Sequence, residues 1–412
     1  MSLPLLTTMA PPVPAGSASP FVQTGPTFTK TLGHVREQVQ EDDQHKWDAT
    51  VPCRQICLHG GRLVFPHAQD TGFEQGLSLT PWAMNQACQK LGIPAGYFRK
   101  CPPALQDQQF NYWNQSDEVG RQFAKADTDP DQAWLLRAKG STLRGVLSSR
   151  YARLDNAALL DTLLPILSGT RYQVGLVALS SESFHLRLVD PTIARDVLPG
   201  DRLLVGVHIA NSEVGLRAVT VDAIVYRLVC SNGLVRRVNS KSLLRQRHLH
   251  VSEPRFADLL AQAVQEAVTV AAGFIEQIAG AIRTPVPDPE RAITLLGQSW
   301  SLSQTTQEQV RFALLAEKPQ GTLYALSNAL TLVAQRLNPD ERFHLETLTG
   351  ALVDTASSSA ADSHLRGRVL APVRRHEPPA ADTYTGTTSG ANGSNGSGTI
   401  PNPDRTLGLL AV

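Results

Sequence analysis

Apolar and polar residues alternate along this chain with periods that change twice, and the changes divide it into zones. In the first zone, RQICLHGGRLVFP predicts a short hairpin turning at Gly60 and Gly61. LTPWAMNQACQKLGI predicts a helix with Thr80 as N-cap and Pro81 at the first helical position. PAGYFRKCPPALQDQQFNYWNQ then reads as a turn followed by another helix. From about residue 134 the period drops to two. WLLRA and STLRGVLSS form a hairpin around Lys139 and Gly140, and DNAALLDTLLPIL is an amphipathic helix capped by Asp155 or Asn156. Tyr172, Val174, Leu176 and Ala178 alternate with smaller or more polar neighbours. Phe184, Leu186 and Leu188 do so against Ser183, His185 and Arg187, and Leu203, Val205, Val207 and Ile209 make a third series. GLRAVTVDAIVYRLVC is a fourth strand or strand pair. Short connections between such segments predict an antiparallel sheet with one covered face.

From Pro254 the period becomes helical. PRFADLLAQAVQEAVTVAAGFIEQIAGAI has no internal proline and predicts one long helix; three more follow around 287–297, 303–317 and 321–336, and PDERFHLETL begins a last one. Strands followed by helices indicate an α+β fold, with a β-β-β-α-like core and a helical region after it. Pro, Ser, Thr and Gly dominate 1–28 and the segment from 354 onward, which predicts a disordered arm and a disordered tail. The expected organisation is therefore an arm (1–28), an N-terminal α/β region (29–133), a sheet region (134–252), a helical region (253–353) and a tail (354–412). The tail ends in LGLLAV, a short apolar tip that reads either as a plain terminus or as a docking peptide for a partner.

Composition sharpens this picture only at particular points. The 412 residues, 42% hydrophobic and 18% charged, suffice for a sizeable core. Five cysteines, Cys53, Cys57, Cys88, Cys101 and Cys230, make an odd, sparse set that predicts reduced thiols rather than a disulfide framework. The N-terminus lacks a basic segment and is broken by prolines, and no apolar run approaches membrane-spanning length, so a cytoplasmic protein without membrane contact is expected. The net charge of +1 gives no global support for a polyanion partner.

The local charge distribution does. From Ala223 to Ser252 no acid occurs, while Arg227, Arg236, Arg237, Lys241, Arg245 and Arg247 do, with His248 and His250 beside them. Such a run meets phosphates through charge-assisted hydrogen bonds and counterion release. A second cluster, Arg137, Lys139, Arg144, Arg150 and Arg153, carries Tyr151 within it, and an aromatic among cations suits stacking on unpaired bases. The blander readings are a solvated basic loop and a tyrosine packed into the core.

NSEVGLR (211–217) and CSNGLV (230–235) read as structural turns, with Asn211, Glu213, Arg217 and Asn232 as the alternative candidates for an enzyme site. Cys53, Cys57, His59 and His67 match no common zinc spacing, and DTDPD (127–131) lacks the glycine and terminal glutamate of a calcium loop, so no metal site is expected. Phosphate-binding G-x-x-x-x-G-K-[ST], H-E-x-x-H, G-x-S-x-G and dinucleotide-binding signatures are all missing, and with them any expected cofactor.

LGIPAGYFRKCPP, LSSRYARLDNAALLDTLLPIL, GVHIANSEVGLRAVTV, YRLVCSNGLV and GTLYALSNALTLVAQ resemble, in this order, the phage/plasmid-like proteins, a family defined by a domain of unknown function. The resemblance covers roughly residues 75–350. It implies a mobile-DNA setting but no activity and no catalytic residues. The strand order is also similar, at the level of topology, to the β-β-β-α core of single-strand-annealing recombinases. Together these readings predict a non-enzymatic DNA-binding protein, single strands favoured, acting in recombination, repair or mobile-element maintenance and self-associating. Its contact residues would be Arg144, Arg150, Tyr151, Arg153, Arg227, Arg236, Arg237, Lys241, Arg245 and Arg247.

Overall fold

A computed structural model describes residues 30–66, 76–115, 133–228, 232–236, 241–249, 253–355 and 359–372. The arm, Cys230, Arg237, His250, His67, DTDPD and LGLLAV lie outside them.

The N-terminal region is built around a small four-stranded sheet. Helix α1 (Leu32–Asp43) leads into strand β1 (Lys46–Pro52), and the Gly60-Gly61 hairpin forms as β2 (Cys57–His59) and β3 (Arg62–Val64). Strand β4 (Ser78–Leu79) precedes α2 (Pro81–Leu91), in which Thr80 Oγ1 accepts from Ala83 N and Pro81 opens the helix as expected. A short turn of helix, α3 (Ala95–Phe98), and α4 (Pro103–Gln115) follow. Strands β5 (Ala133–Lys139) and β6 (Thr142–Ser148) complete a four-stranded sheet in the order β1-β5-β6-β4.

The larger sheet follows α5 (Asn156–Leu167). It consists of β7 (Gln173–Leu179), β8 (Phe184–Leu198), β9 (Asp201–Asn211), β10 (Val219–Arg227), β11 (Asn232–Arg236) and β12 (Leu244–Gln246). The order is β11-β10-β9-β8-β7, all antiparallel, with β12 also on β10. Strand β9 occupies one side of β10 along 220–227, so β11 against 223–227 and β12 against 219–221 share its other side, end to end. Strands β11 and β12, the described strands of the acid-free segment beyond β10, thus form the outer edge of the sheet.

One face of the sheet presents Leu186, Leu188, Val205, Val207, Ile209, Val221 and Val225 to the main core. The long helix α6 (Glu253–Ile282) covers it, burying Phe256, Leu260, Val264, Ala267, Ala271, Phe274 and Ile278 along one stripe. Helices α7 (Pro289–Ser299), α8 (Gln304–Leu314) and α9 (Leu323–Ala334) extend this core.

The second face departs from the expected sheet with one covered side. Helix α10 (Pro339–Val353) lies across it and buries the polar alternates His185, Arg187, His208 and Asp222. Contact is close at Gly350, where a Cβ would sit 1.9 Å from the Val235 carbonyl oxygen. A further helix, α11 (Ala360–Leu370), stands where composition reads a tail. Ser359 closes a capping box with Asp362, Val369 is buried, and Arg366 Nε donates to Leu352 O at 3.1 Å. No helix among the described residues is long and apolar enough to cross a membrane.

Candidate functional site

The ten sequence-predicted contact residues divide sharply by environment. Arg144 is buried, its Nη2 2.8 Å from Glu213 Oε2 and its Nε donating to Ser181 O. Arg227 is held bidentately by Asp201 at 2.7 Å and by Glu317 at 3.1 Å, with its guanidinium 5.7 Å from the Tyr324 ring centroid. Burial opposes the charge on Arg227, but Asp201 and Glu317 outweigh it and hold the pKa above the ordinary arginine value. Arg137 is likewise buried between Asp48 and Asp155, and Lys139 pairs with Asp42. Arg153 reaches Asp48 at 2.6 Å from an exposed position. These cations face their own carboxylates.

Four others are exposed: Arg150, Lys241, Arg245 and Arg247. The side chain of Arg236 lies outside the described residues, although its backbone pairs with Ala223 on the same edge. The fold brings the two basic segments together, because Ala152 N donates to His248 O at 2.8 Å and the Tyr151 ring stacks on His248 at 4.8 Å and 7°. Tyr151 OH donates to Ser212 O, so this ring braces the junction between the segments. His248 is buried, and burial pulls its pKa down to about 4.

The turn 211–217 is a hub. Glu213 Oε2 meets Lys46 Nζ at 2.9 Å as well as Arg144, its Oε1 accepts from Asn156 N, and its carbonyl accepts from Arg137. Burial opposes its ionisation, but Lys46 and Arg144 prevail and its pKa is lowered. Trp82 Nε1 and Gln86 Nε2 both donate to Val214 O at 2.9 Å. Gly215 takes a φ of +76°, a left-handed conformation that glycine adopts freely. Asn211 Nδ2 donates to Leu154 O and to Asn156 Oδ1. Asn211 and Glu213 therefore join the small sheet, α5 and the large sheet. Arg217 points elsewhere, onto Asp340 of α10. The side chain of Asn232 lies outside the described residues. Of the residues weighed against zinc spacing, Cys53 is buried, Cys57 half-buried and His59 exposed.

A polar row that the sequence reading missed crosses the second face. Arg187, His208 and Asp222 stand opposite one another on β8, β9 and β10, with His185 and Thr220 in the neighbouring row. Helix α10 supplies counter-charge: Glu346 receives Arg187 through both oxygens and Arg342 at 3.0 Å. Asp340 accepts from Ser183 Oγ at 2.6 Å and pairs with Arg217 and, at 3.3 Å, with His185 Nε2. Asp340 also fixes the ring tautomers. His185 Nε2–H donates to the carboxylate, so His185 Nδ1 accepts from His208 Nε2–H at 3.2 Å. The unpartnered His208 Nδ1 is then a lone pair rather than a stranded donor. Burial lowers the pKa of both histidines, that of His208 strongly. Asp340 is also partly buried, but His185, Arg217 and Ser183 hold its pKa down to about 2. The signal available in the sequence was His185, Arg187, His208 and Asp222 at alternating strand positions, which read equally well as a solvated face.

The architecture is thus an α+β fold whose central antiparallel sheet is covered on both faces, with a buried charged row on one and a basic outer edge. Residues 144–361, just over half of the chain, match the model of the family described as Domain of unknown function (DUF932), and the chain belongs to that family. The match spans β6 to α11 and so includes the hub turn, the polar row and the basic edge. No curated protein and no solved structure matches the chain.

Proposed function

We propose that this chain binds nucleic acid, DNA with single strands favoured, through the outer edge of its large sheet. The observation that carries the reading is the placement of the acid-free segment. It runs along β11 and β12 and returns beside Arg150, leaving Arg150, Lys241, Arg245 and Arg247 exposed. Cations on an edge strand engage a phosphate backbone without base-specific contacts, and each phosphate neutralised adds to the salt dependence of binding. Arg144 and Arg227 drop out of the contact set, since their carboxylate partners already occupy them. The resemblance to mobile-element proteins supports a role in recombination, repair or element maintenance. Self-association belongs to the proposal, because one such edge spans few nucleotides.

The test is fluorescence anisotropy with labelled single-stranded and duplex oligonucleotides across a salt series. Binding should weaken steeply as salt rises. The triple charge reversal K241E/R245E/R247E should reduce affinity by at least tenfold and flatten the salt slope while leaving the thermal melt unchanged. Salt-independent affinity, or unaltered binding by the triple variant, would reject the edge as the contact surface.

A further inference from the structure

The edge cations account for a phosphate backbone but not for a preference for unpaired bases, since Tyr151 is committed to His248 and Ser212. We infer that this preference resides in Tyr97 and Tyr112, exposed on α3 and α4, which form a stacking platform for single-stranded nucleic acid outside the family-defined domain. The inference rests on the nucleic-acid reading above.

Four aromatic side chains in this stretch show the contrast. Phe98 and Phe110 are buried in the core of the small sheet, whereas Tyr97 and Tyr112 are 52% and 55% exposed. Each exposed ring has a neighbour that steadies it. Gln109 Nε2 donates to Tyr97 OH at 3.0 Å, and Tyr112, three residues further along the same helix, packs edge-on against Trp113 at 5.4 Å and 84°. Gln109 and Tyr112 lie one turn apart on α4, so the hydrogen bond ties Tyr97 of α3 to the helix that carries Tyr112. A ring held by its neighbours loses little conformational freedom when a base stacks on it.

The surroundings favour a polyanion. Between Gly76 and Gln115 the sole acidic residue is Asp107, against Lys90, Arg99 and Lys100. Asp107 is taken up internally, accepting from Gly60 N at 2.6 Å and Gly61 N at 2.9 Å. Arg99 and Lys100 are exposed directly after α3, and Arg99 Nη1 is steadied by Asn85 Oδ1 at 2.7 Å. Exposed tyrosine faces near exposed cations, with Asp107 already engaged, suit a strand whose bases are unpaired and whose phosphates are close by.

The experiment uses the full chain and oligonucleotides carrying the fluorescent base 2-aminopurine, with anisotropy measured in parallel on single strand and duplex. Stacking should quench 2-aminopurine in the wild type. Y97A/Y112A should abolish the quench and weaken single-strand binding roughly five- to hundredfold per ring, leaving duplex affinity unchanged. Y112F keeps the ring face and its packing on Trp113 and should retain quench and affinity, whereas Y97F, which also loses the Gln109 bond, should retain the quench with a smaller part of the affinity. Unchanged single-strand affinity in Y97A/Y112A, with its melt intact, overturns the platform while leaving the edge reading standing. Loss of self-association without loss of base quenching, read by sedimentation, also overturns it and makes the patch a contact between copies. A wild-type chain that binds no nucleic acid overturns both readings.

Discussion

Glu213 shows how one side chain can settle what its neighbours are free to do. Its carboxylate is buried and shared by Lys46 and Arg144, and its backbone carbonyl takes a third cation, Arg137. Replacing it by alanine takes the carboxylate from buried Arg144, whereas Lys46 keeps Asp42 and Asp43. Glu213→Ala should therefore cost about 3–5 kcal/mol, the range found when one partner of a buried pair is removed. Lys241→Ala, at an exposed position, should stay within about 0.5 kcal/mol of wild type. Urea denaturation of the two variants checks the contrast, and equal losses would mean that the buried network carries no special weight. At this scale the sequence was informative about charge and silent about pairing. Arg144 and Arg245 look alike in a string of letters. They differ because residues about 70 positions away place a carboxylate on one of them.

At the scale of elements, α10 on the sheet is a charge-matched contact. The sheet and the turn beside it bring Arg187, Arg217 and Asp222, the helix brings Arg342, Asp340 and Glu346, and the balance holds only while His185 and His208 are neutral. Burial lowers the pKa of both histidines in the folded state, and that of His248 to about 4, against 6.5 for an unfolded chain. Below about pH 6.5 the unfolded chain then binds more protons than the folded one. Stability is complete above that pH and declines as pH falls through the window. His248 alone should contribute a loss of about 3 kcal/mol by pH 4. Asp340, with a pKa of about 2 against 3.8 for an unfolded chain, adds its own loss only from about pH 4 downward. Thermal melts between pH 7.5 and 4.5 should show a falling midpoint, and H185Q/H208Q should flatten the fall. A midpoint that holds steady or rises on acidification would show that the histidines are not buried as neutral groups. Many of the strands and helices follow from periodicity, including the Thr80 cap and both glycine-turned hairpins, but α1, β1, β4, β11, β12 and α11 do not. Period-two alternation could not tell a face wetted by solvent from a polar face roofed by a helix more than 150 residues further on.

At the scale of the molecule, the family-defined segment is not the folding unit. Residues 144–361 begin inside β6, which pairs with β5, and β5 pairs with β1. Cutting there removes both partner strands, Lys46 and Arg137, and leaves an open strand edge beside an under-neutralised Glu213. A fragment of 144–361 should aggregate or melt without a cooperative transition, whereas 30–372 should melt in one step. Circular dichroism with size-exclusion chromatography checks this, and a monomeric, cooperatively melting fragment would refute it. The amino-acid sequence by itself determined the α+β class, the succession of a strand-rich zone and a helical zone, and the acid-free basic run, because each follows from local propensity and from spacing between near neighbours. Which of the cations face solvent, which polar residues lie beneath a helix, and which aromatic rings stand clear of the core were decided by tertiary structure alone. Burial and charge pairing depend on groups distant in sequence whose positions exist only once the chain has closed on itself.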